Sequence, residues 1–195
     1  SGPFGATYAH ALGIRPHVDR ANPILALIGS PTELTKLQSD RLESQSGVDL
    51  ITVDDPASDV SQLLSRLRAS AEVGKTVIGI RTTSRDGSAP DPLHASQMLT
   101  LIIDLAVECA DSMQLDGIYA SGGDVAFAVL DALGARGYEV ENEVVPLAVS
   151  GKLVGGPHDG LGFATKGGLV GDADAAVECI NQLRSRIRQS EPRIV

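Results

Sequence analysis

Aromatic residues are scarce in this chain, with three Phe, three Tyr and no Trp among 195 residues. Single-stranded nucleic acids are held largely by stacking on such rings, so platforms for them are few. Cations are also in short supply: 16 Lys and Arg stand against 25 Asp and Glu, for a net charge of −9. That balance repels phosphate backbones and anionic lipid, and it argues against non-specific nucleic-acid or membrane-surface binding. Of the two cysteines, neither Cys109 nor Cys179 has close Cys or His neighbours at zinc-ligand spacing, and both sit in helix-like runs. They read as reduced core residues. His10, His17, His94 and His158 lie apart, with no metal-ligand spacing. No apolar run approaches the roughly 20 residues of a membrane span. The N-terminus lacks the basic-then-apolar pattern of a signal peptide. A cytoplasmic protein without a metal centre of its own is expected.

What is present is enough apolar material, 43% of the chain, for one well-filled core. Residues 24 to 30 (ILALIGS) form a run typical of a strand buried on both faces. The following SPTE predicts a capping box, with Ser30 as N-cap, Pro31 at the first helical position and Glu33 at the third, opening a helix to about Ser44. Residues 48 to 54 read as a second strand. Ser58 then opens a helix whose Val60, Leu63, Leu64 and Leu67 follow i, i+3, i+4, i+7 spacing, with Gly74 as its stop. Residues 75 to 82 are a third strand, and TSRDGSAPDP after them is a loop.

A long helix from about His94 to Met113 leads to a fourth strand at 116 to 121 and a helix from near Asp124 to Gly134. Three β-rich pieces follow, then a glycine turn and a final helix with Ala176, Ile180, Leu183 and Ile187 on its buried stripe. Strands alternating with helix-length crossovers predict a three-layer, Rossmann-like α/β domain, its mostly parallel sheet covered by helices on both faces. Residues 1–22 read as a short helix and linker, and 23–195 as the domain.

Two phosphate-binding patterns fail on element order. Ala69 to Thr76 resembles the phosphate loop of ATPases, but there a helix runs into Gly74 and a strand begins at Lys75, the reverse of the order that motif needs. The stretch 160-GLGFAT-165 lacks the third glycine of a dinucleotide fingerprint and leads into no helix. Three other turns have the required strand-then-helix order: Ser30; Ser121-Gly122-Gly123-Asp124; and Lys166-Gly167-Gly168-Leu169-Val170-Gly171. In a parallel sheet such turns can lie on one edge, at the carboxyl ends of the strands, where such folds bind ligands. Glycines admit phosphate oxygens to the backbone, each helix N-terminus adds roughly half a positive charge, and Lys166 can supply a full one. Asp124 serves either as a cap on its own helix or as a group orienting a ribose or a metal-bound water. His158 can stand at the ligand edge or in a plain turn, and Asp54-Asp55 reads as a turn start before Pro56.

IGSPTELTKLQ, SGGDVAFAVLDALG, EVVPLAVSGKLVGG and FATKGGLVGDAD, in that order, resemble the C-terminal nucleotide-binding domain of the four-carbon acid sugar kinases over nearly the whole chain. The resemblance implies ATP, with Mg2+, held at Ser30, at Gly122, Gly123, Asp124 and Val125, and at the Lys166-Gly167-Gly168 turn. It implies phosphoryl transfer to a small sugar acid of the threonate or erythronate type, and it is compatible with a homo-oligomer. Val125 stands where the family usually has Thr, Val170 replaces the usual Phe, and Leu147 follows Pro146 where Gly is common. The family's N-terminal domain, with its Asp-Asp-x-Thr-Gly-Ala motif and sugar-acid pocket, has no counterpart in this sequence, whose opening SGPFGA resembles the lead-in to the C-terminal domain. The base that activates the acceptor hydroxyl belongs to that missing domain, so no catalytic residue is assigned. On the residues alone, two rivals stand beside the kinase: a stand-alone nucleotide or phosphate binding module, and a Rossmann-type dehydrogenase domain.

Overall fold

The computed structural model describes residues 22–30, 32–83 and 91–190; the expected helix and linker before residue 22 and most of the loop after Thr83 lie outside them. Ile24–Ile28 (β1) is buried along its whole length, as its unbroken apolar run requires of a central strand. It is followed by Glu33–Glu43 (α1), Val48–Val53 (β2), Val60–Glu72 (α2), Val77–Thr82 (β3), Pro92–Ser112 (α3), Gly117–Ser121 (β4) and Gly123–Ala132 (α4). The chain continues through Gly137–Val145 (β5), Ala148–Val154 (β6), Gly162–Lys166 (β7) and Ala175–Ser190 (α5). One sheet runs in the order β2-β3-β1-β4-β7-β6-β5. The first five strands in that order are parallel, and β6 and β5 form an antiparallel hairpin at one edge.

Alternate residues of each strand face opposite ways, so the strands feed two cores. Leu25, Leu27, Ile78, Ile80, Ile118, Ala120 and Phe163 face α2, α3 and α4. Ile24, Ala26, Ile28, Tyr119 and Ala164 face α1 and α5. Both cysteines are reduced and buried, Cys109 under the first layer and Cys179 under the second. Desolvation of the thiolate pushes each thiol up to about 12, which keeps them inert. The helix α3 is long and apolar enough to cross a membrane by length and composition, where no such run was expected. Its Met98, Leu101, Ile102, Leu105, Ala106 and Cys109 are spent on the sheet, as in a core helix.

Helix starts depart from expectation in two places. The cap of α1 is Thr32, whose hydroxyl accepts from the Thr35 N–H at 3.1 Å, so Glu33 is the first helical residue and the capping box at Ser30 does not form. Both positions carry a hydroxyl, but Thr32 also meets Gly168 across the fold, which local spacing cannot show. Likewise Asp59, one residue past Ser58, caps α2 by accepting from the Ser61 N–H at 2.8 Å. At the β5–β6 turn Leu147 adopts φ 69°, the left-handed region that glycine prefers.

Candidate functional site

The helix after β1 packs on one face of the sheet, and the helix after the neighbouring β4 packs on the other. The chain therefore parts at the carboxyl ends of β1 and β4, the crevice where open α/β sheets bind ligands. All three turns singled out in the sequence meet there. The Gly29 N–H donates to Ser121 O at 3.3 Å and the Gly122 N–H to Lys166 O at 3.0 Å, which ties the strand ends side by side. Ser30 is the meeting point. A methyl added at Gly168 would overlap Ser30 Oγ and stand 3.1 Å from Ser30 Cβ, and one added at Gly122 would lie 3.9 Å from the same Cβ.

Freed from capping, the Ser30 hydroxyl has, among the described residues, only a long 3.5 Å contact with Thr32 Oγ1. Gly122 is the N-cap of α4 with φ 113°, a conformation L side chains rarely adopt, and the helix has no side-chain cap bond. The expectation that Asp124 caps its own helix is therefore corrected: Gly122 holds the cap position and Asp124 is exposed in the first turn, where a carboxylate favours the positive end of the helix. Gly123 is open to solvent, with nothing within 4 Å of where a side chain would start. Val125 turns inward and is 5% exposed, in the core under Gly29. The amide groups that open α4 face the crevice edge with no side chain answering them, an arrangement suited to an anion.

Lys166 is not the surface cation that its position in a turn suggests. It ends β7 in register with Ser121 on β4 and Ala148 on β6, on the face covered by α1 and α5, and is 2% exposed. Its ammonium donates to Gly167 O at 3.0 Å. Burial lowers its pKa from the usual lysine range, with Cys179 acting weakly the other way. Near it in the sheet, the Tyr119 hydroxyl and Ser121 Oγ are buried, and burial raises the Tyr119 pKa while Ser121 acts the other way.

The sequence reading missed α1 as part of the site. Its Thr32 and Thr35 hydroxyls both reach Gly168 O at 2.9 Å, and the Gln38 amide reaches Val170 O at 3.0 Å and Asp172 O at 2.6 Å. A signal was present: the buried positions Thr35, Gln38, Ser39 and Leu42 have helical spacing, yet three of the four are polar. Buried polar side chains require partners, so that stripe had to face backbone.

Other candidates fall elsewhere. Lys75 and Thr76 sit at the amino edge, where Lys75 Nζ donates to Val48 O at 3.3 Å and Thr76 Oγ1 accepts from Arg184 at 2.6 Å. His158 is also at that edge, in the turn between β6 and β7, 3.2 Å from Asp111. Asp55 makes the expected turn, its carboxylate accepting from the Ala57 N–H at 2.9 Å. Among the described residues no group of three or more His, Cys, Asp or Glu could hold a metal ion.

Residues 25–176 match the family model described as nucleotide-binding C-terminal domain. The chain is 35% identical to a D-erythronate kinase of Heliobacterium modesticaldum over 95% of its own length and 47% of that protein's. It is 27% identical to a D-threonate kinase of Salmonella typhimurium, covering 76% of itself and 40% of the relative. Thus the chain spans about half or less of the curated relatives it matches. Among solved structures, a domain of unknown function from Bordetella bronchiseptica, a domain-swapped dimer with bound citrate, superposes with TM-score 0.71 at 26% identity over 84% of this chain and 41% of that one. A Haemophilus influenzae protein shares the fold, with TM-score 0.68 at 17% identity over 91% of this chain and 45% of its own. The glycine turns, the switch-point crevice and these matches lead to one conclusion: the chain belongs to the four-carbon acid sugar kinase family, as its nucleotide-binding C-terminal domain.

Proposed function

We propose that this domain holds ATP for a kinase that phosphorylates a hydroxyl of a four-carbon sugar acid of the erythronate or threonate type. The observation that carries the reading is the convergence of Ser30, Gly122 and Gly168 beside an α4 N-terminus with no side-chain cap. In this reading the phosphates lie against the backbone N–H groups of Gly123, Asp124 and Val125, with the Ser30 hydroxyl and the Gly167-Gly168 turn closing the other side. Lys166 adds positive charge from beneath, through the peptide its ammonium holds. Mg2+ bound with the nucleotide would supply charge neutralisation at the phosphate oxygens. The exposed Asp124 carboxylate, in the first turn of α4, would be the residue to orient a water of that ion.

Phosphoryl transfer asks the protein mainly for positioning and charge stabilisation. The acceptor site and its base are assigned to the part of the relatives that this chain does not match, with residues 1–22 as the lead-in to a domain over 23–195. A cytoplasmic location and self-association belong to the same proposal.

Calorimetry with ATP and ADP in the presence of Mg2+ tests the placement. Gly122→Val should weaken binding at least tenfold, about 1.4 kcal/mol, because a branched side chain at φ 113° distorts the turn and blocks backbone approach. A folded Gly122→Val protein with unchanged affinity would remove the phosphates from this turn. Nucleotide binding without turnover even when the chain is joined to the rest of a family member would favour a binding module instead.

A further inference from the structure

The turn between β7 and α5 is held by side chains that come almost entirely from α1. Gly168 O has two lone pairs, and the Thr32 and Thr35 hydroxyls, both at 2.9 Å, fill them. The Thr32 oxygen accepts the Thr35 N–H, and its single hydrogen is shared between Gly168 O and Thr35 Oγ1, 3.0 Å away, whereas the Thr35 hydroxyl donates to Gly168 O. Gln38 spends both amide hydrogens on the next two alternate carbonyls, Val170 O and Asp172 O. That fixes its orientation, because turning the amide over would set its oxygen against two carbonyls. As a consequence, Gln38 Oε1 is buried with no partner among the described residues.

A trans peptide places its C=O and the following N–H on opposite sides. With the carbonyls of residues 168 and 170 drawn toward α1, the N–H groups of Leu169 and Gly171 must point away from it. Neither N–H donates to a backbone carbonyl among the described residues, and both residues are exposed. A short row of free N–H groups is an anion cradle, and every carbonyl turned outward would put negative charge in it.

We infer that Thr35 and Gln38 are positioning residues for the phosphate groups of a nucleoside di- or triphosphate, acting by keeping the carbonyls of the 168–172 turn away from the anion. The inference rests on the nucleotide reading above. Their buried, hydrogen-bonded state explains why a helix of an α/β domain carries Thr and Gln on its inward stripe in place of aliphatic residues.

The test uses the 195-residue chain with Thr35→Val, Thr35→Ser and Gln38→Met. Two quantities are read: ADP affinity with Mg2+ by calorimetry, and amide hydrogen exchange in residues 167–172 without nucleotide. Val keeps the shape of Thr and removes only its hydroxyl, so a packing role would survive it. Thr35→Val and Gln38→Met should each weaken ADP binding about tenfold and speed exchange in the turn, while exchange in β1 stays as it was. Thr35→Ser should restore both readings to within about twofold of the original chain. Unchanged ADP affinity in Thr35→Val, or no rescue by Thr35→Ser, overturns the inference. Should Gln38→Met not fold, the Thr35 pair alone decides. An original chain that binds no ADP overturns the nucleotide reading together with the inference, whereas binding that Thr35→Val leaves intact overturns the inference alone.

Discussion

Substituting Gly168 by Ala probes the crevice with a single methyl. The added carbon would overlap Ser30 Oγ and stand 3.1 Å from Ser30 Cβ, inside the roughly 3.5–4.0 Å of a favourable carbon–carbon contact. Something must move by several tenths of an ångström. The turn cannot retreat freely, because Gly168 O is held by two hydroxyls whose hydrogen bonds contribute about 1 kcal/mol each. Ser30, with its 3.5 Å contact to Thr32, is the softer partner and should rotate out of the crevice.

Overpacking of this kind costs about 1–3 kcal/mol, and the softness of Ser30 places Gly168→Ala at the low end. Nucleotide affinity should suffer more, falling at least tenfold, since both the space at Gly168 and the Ser30 hydroxyl are lost together. Thermal melts and ADP calorimetry on Gly168→Ala, Ser30→Ala and the double variant form a cycle. Because Ser30→Ala removes the overlapping oxygen, the stability cost of Gly168→Ala should be smaller in that background, an interaction of about 0.5 kcal/mol or more. Strictly additive melting shifts, together with unchanged ADP affinity in Gly168→Ala, would show that the two turns do not meet as described.

Lys75→Ala should leave ADP affinity within about twofold, roughly 0.4 kcal/mol, since Lys75 lies at the amino edge on the Val48 carbonyl; a tenfold loss in a folded variant would revive the phosphate-loop reading. For Lys166 the folded pKa is lowered, so in the window between that value and the ordinary lysine pKa near 10.5 the unfolded chain binds more protons. Stability from this group should accordingly rise with pH through that window, and denaturant titrations of Lys166→Met should lose that rise. A slope identical in both proteins would place the ammonium in solvent. In a coupled ADP-release assay with D-threonate and D-erythronate, the chain alone should show at most slow ATP hydrolysis and gain sugar-acid turnover only when joined to the N-terminal domain of its family, because an acceptor held in line is worth several kcal/mol of barrier. Substrate-dependent turnover by the chain alone would require an acceptor base on it, with Asp54, Asp55 and Asp159 the first to test.

The alternation of elements was legible because it rests on local patterns. The all-apolar run of β1 is the kind that a strand covered on both sides gives, and Gly74, with φ 91°, stops α2 just where its apolar spacing ends. The rejection of the phosphate-loop resemblance was equally local, since the order helix, glycine, strand is written in the chain. Element starts were less legible. Ser30 and Thr32 are both hydroxyl residues ahead of the same helix, and what selects Thr32 is its further bond to Gly168, 136 positions away. Asp124 shows the same limit: a first-turn acid reads as a cap, but Gly122 at φ 113° already occupies that position.

By itself, the sequence determined the layer architecture, the two apolar faces, the inert buried cysteines and the glycine turns, because each depends on residue types a few positions apart. The matched pattern of those turns also carried the family. Only the tertiary structure decided that Ser30, Gly122 and Gly168 meet, that Lys166 is buried beneath the crevice, and that Thr35 and Gln38 hold the carbonyls of the last turn. Those outcomes depend on which strand lies beside which and on which face each helix covers. Strand order is set by how both cores fill at once, and no local spacing encodes it.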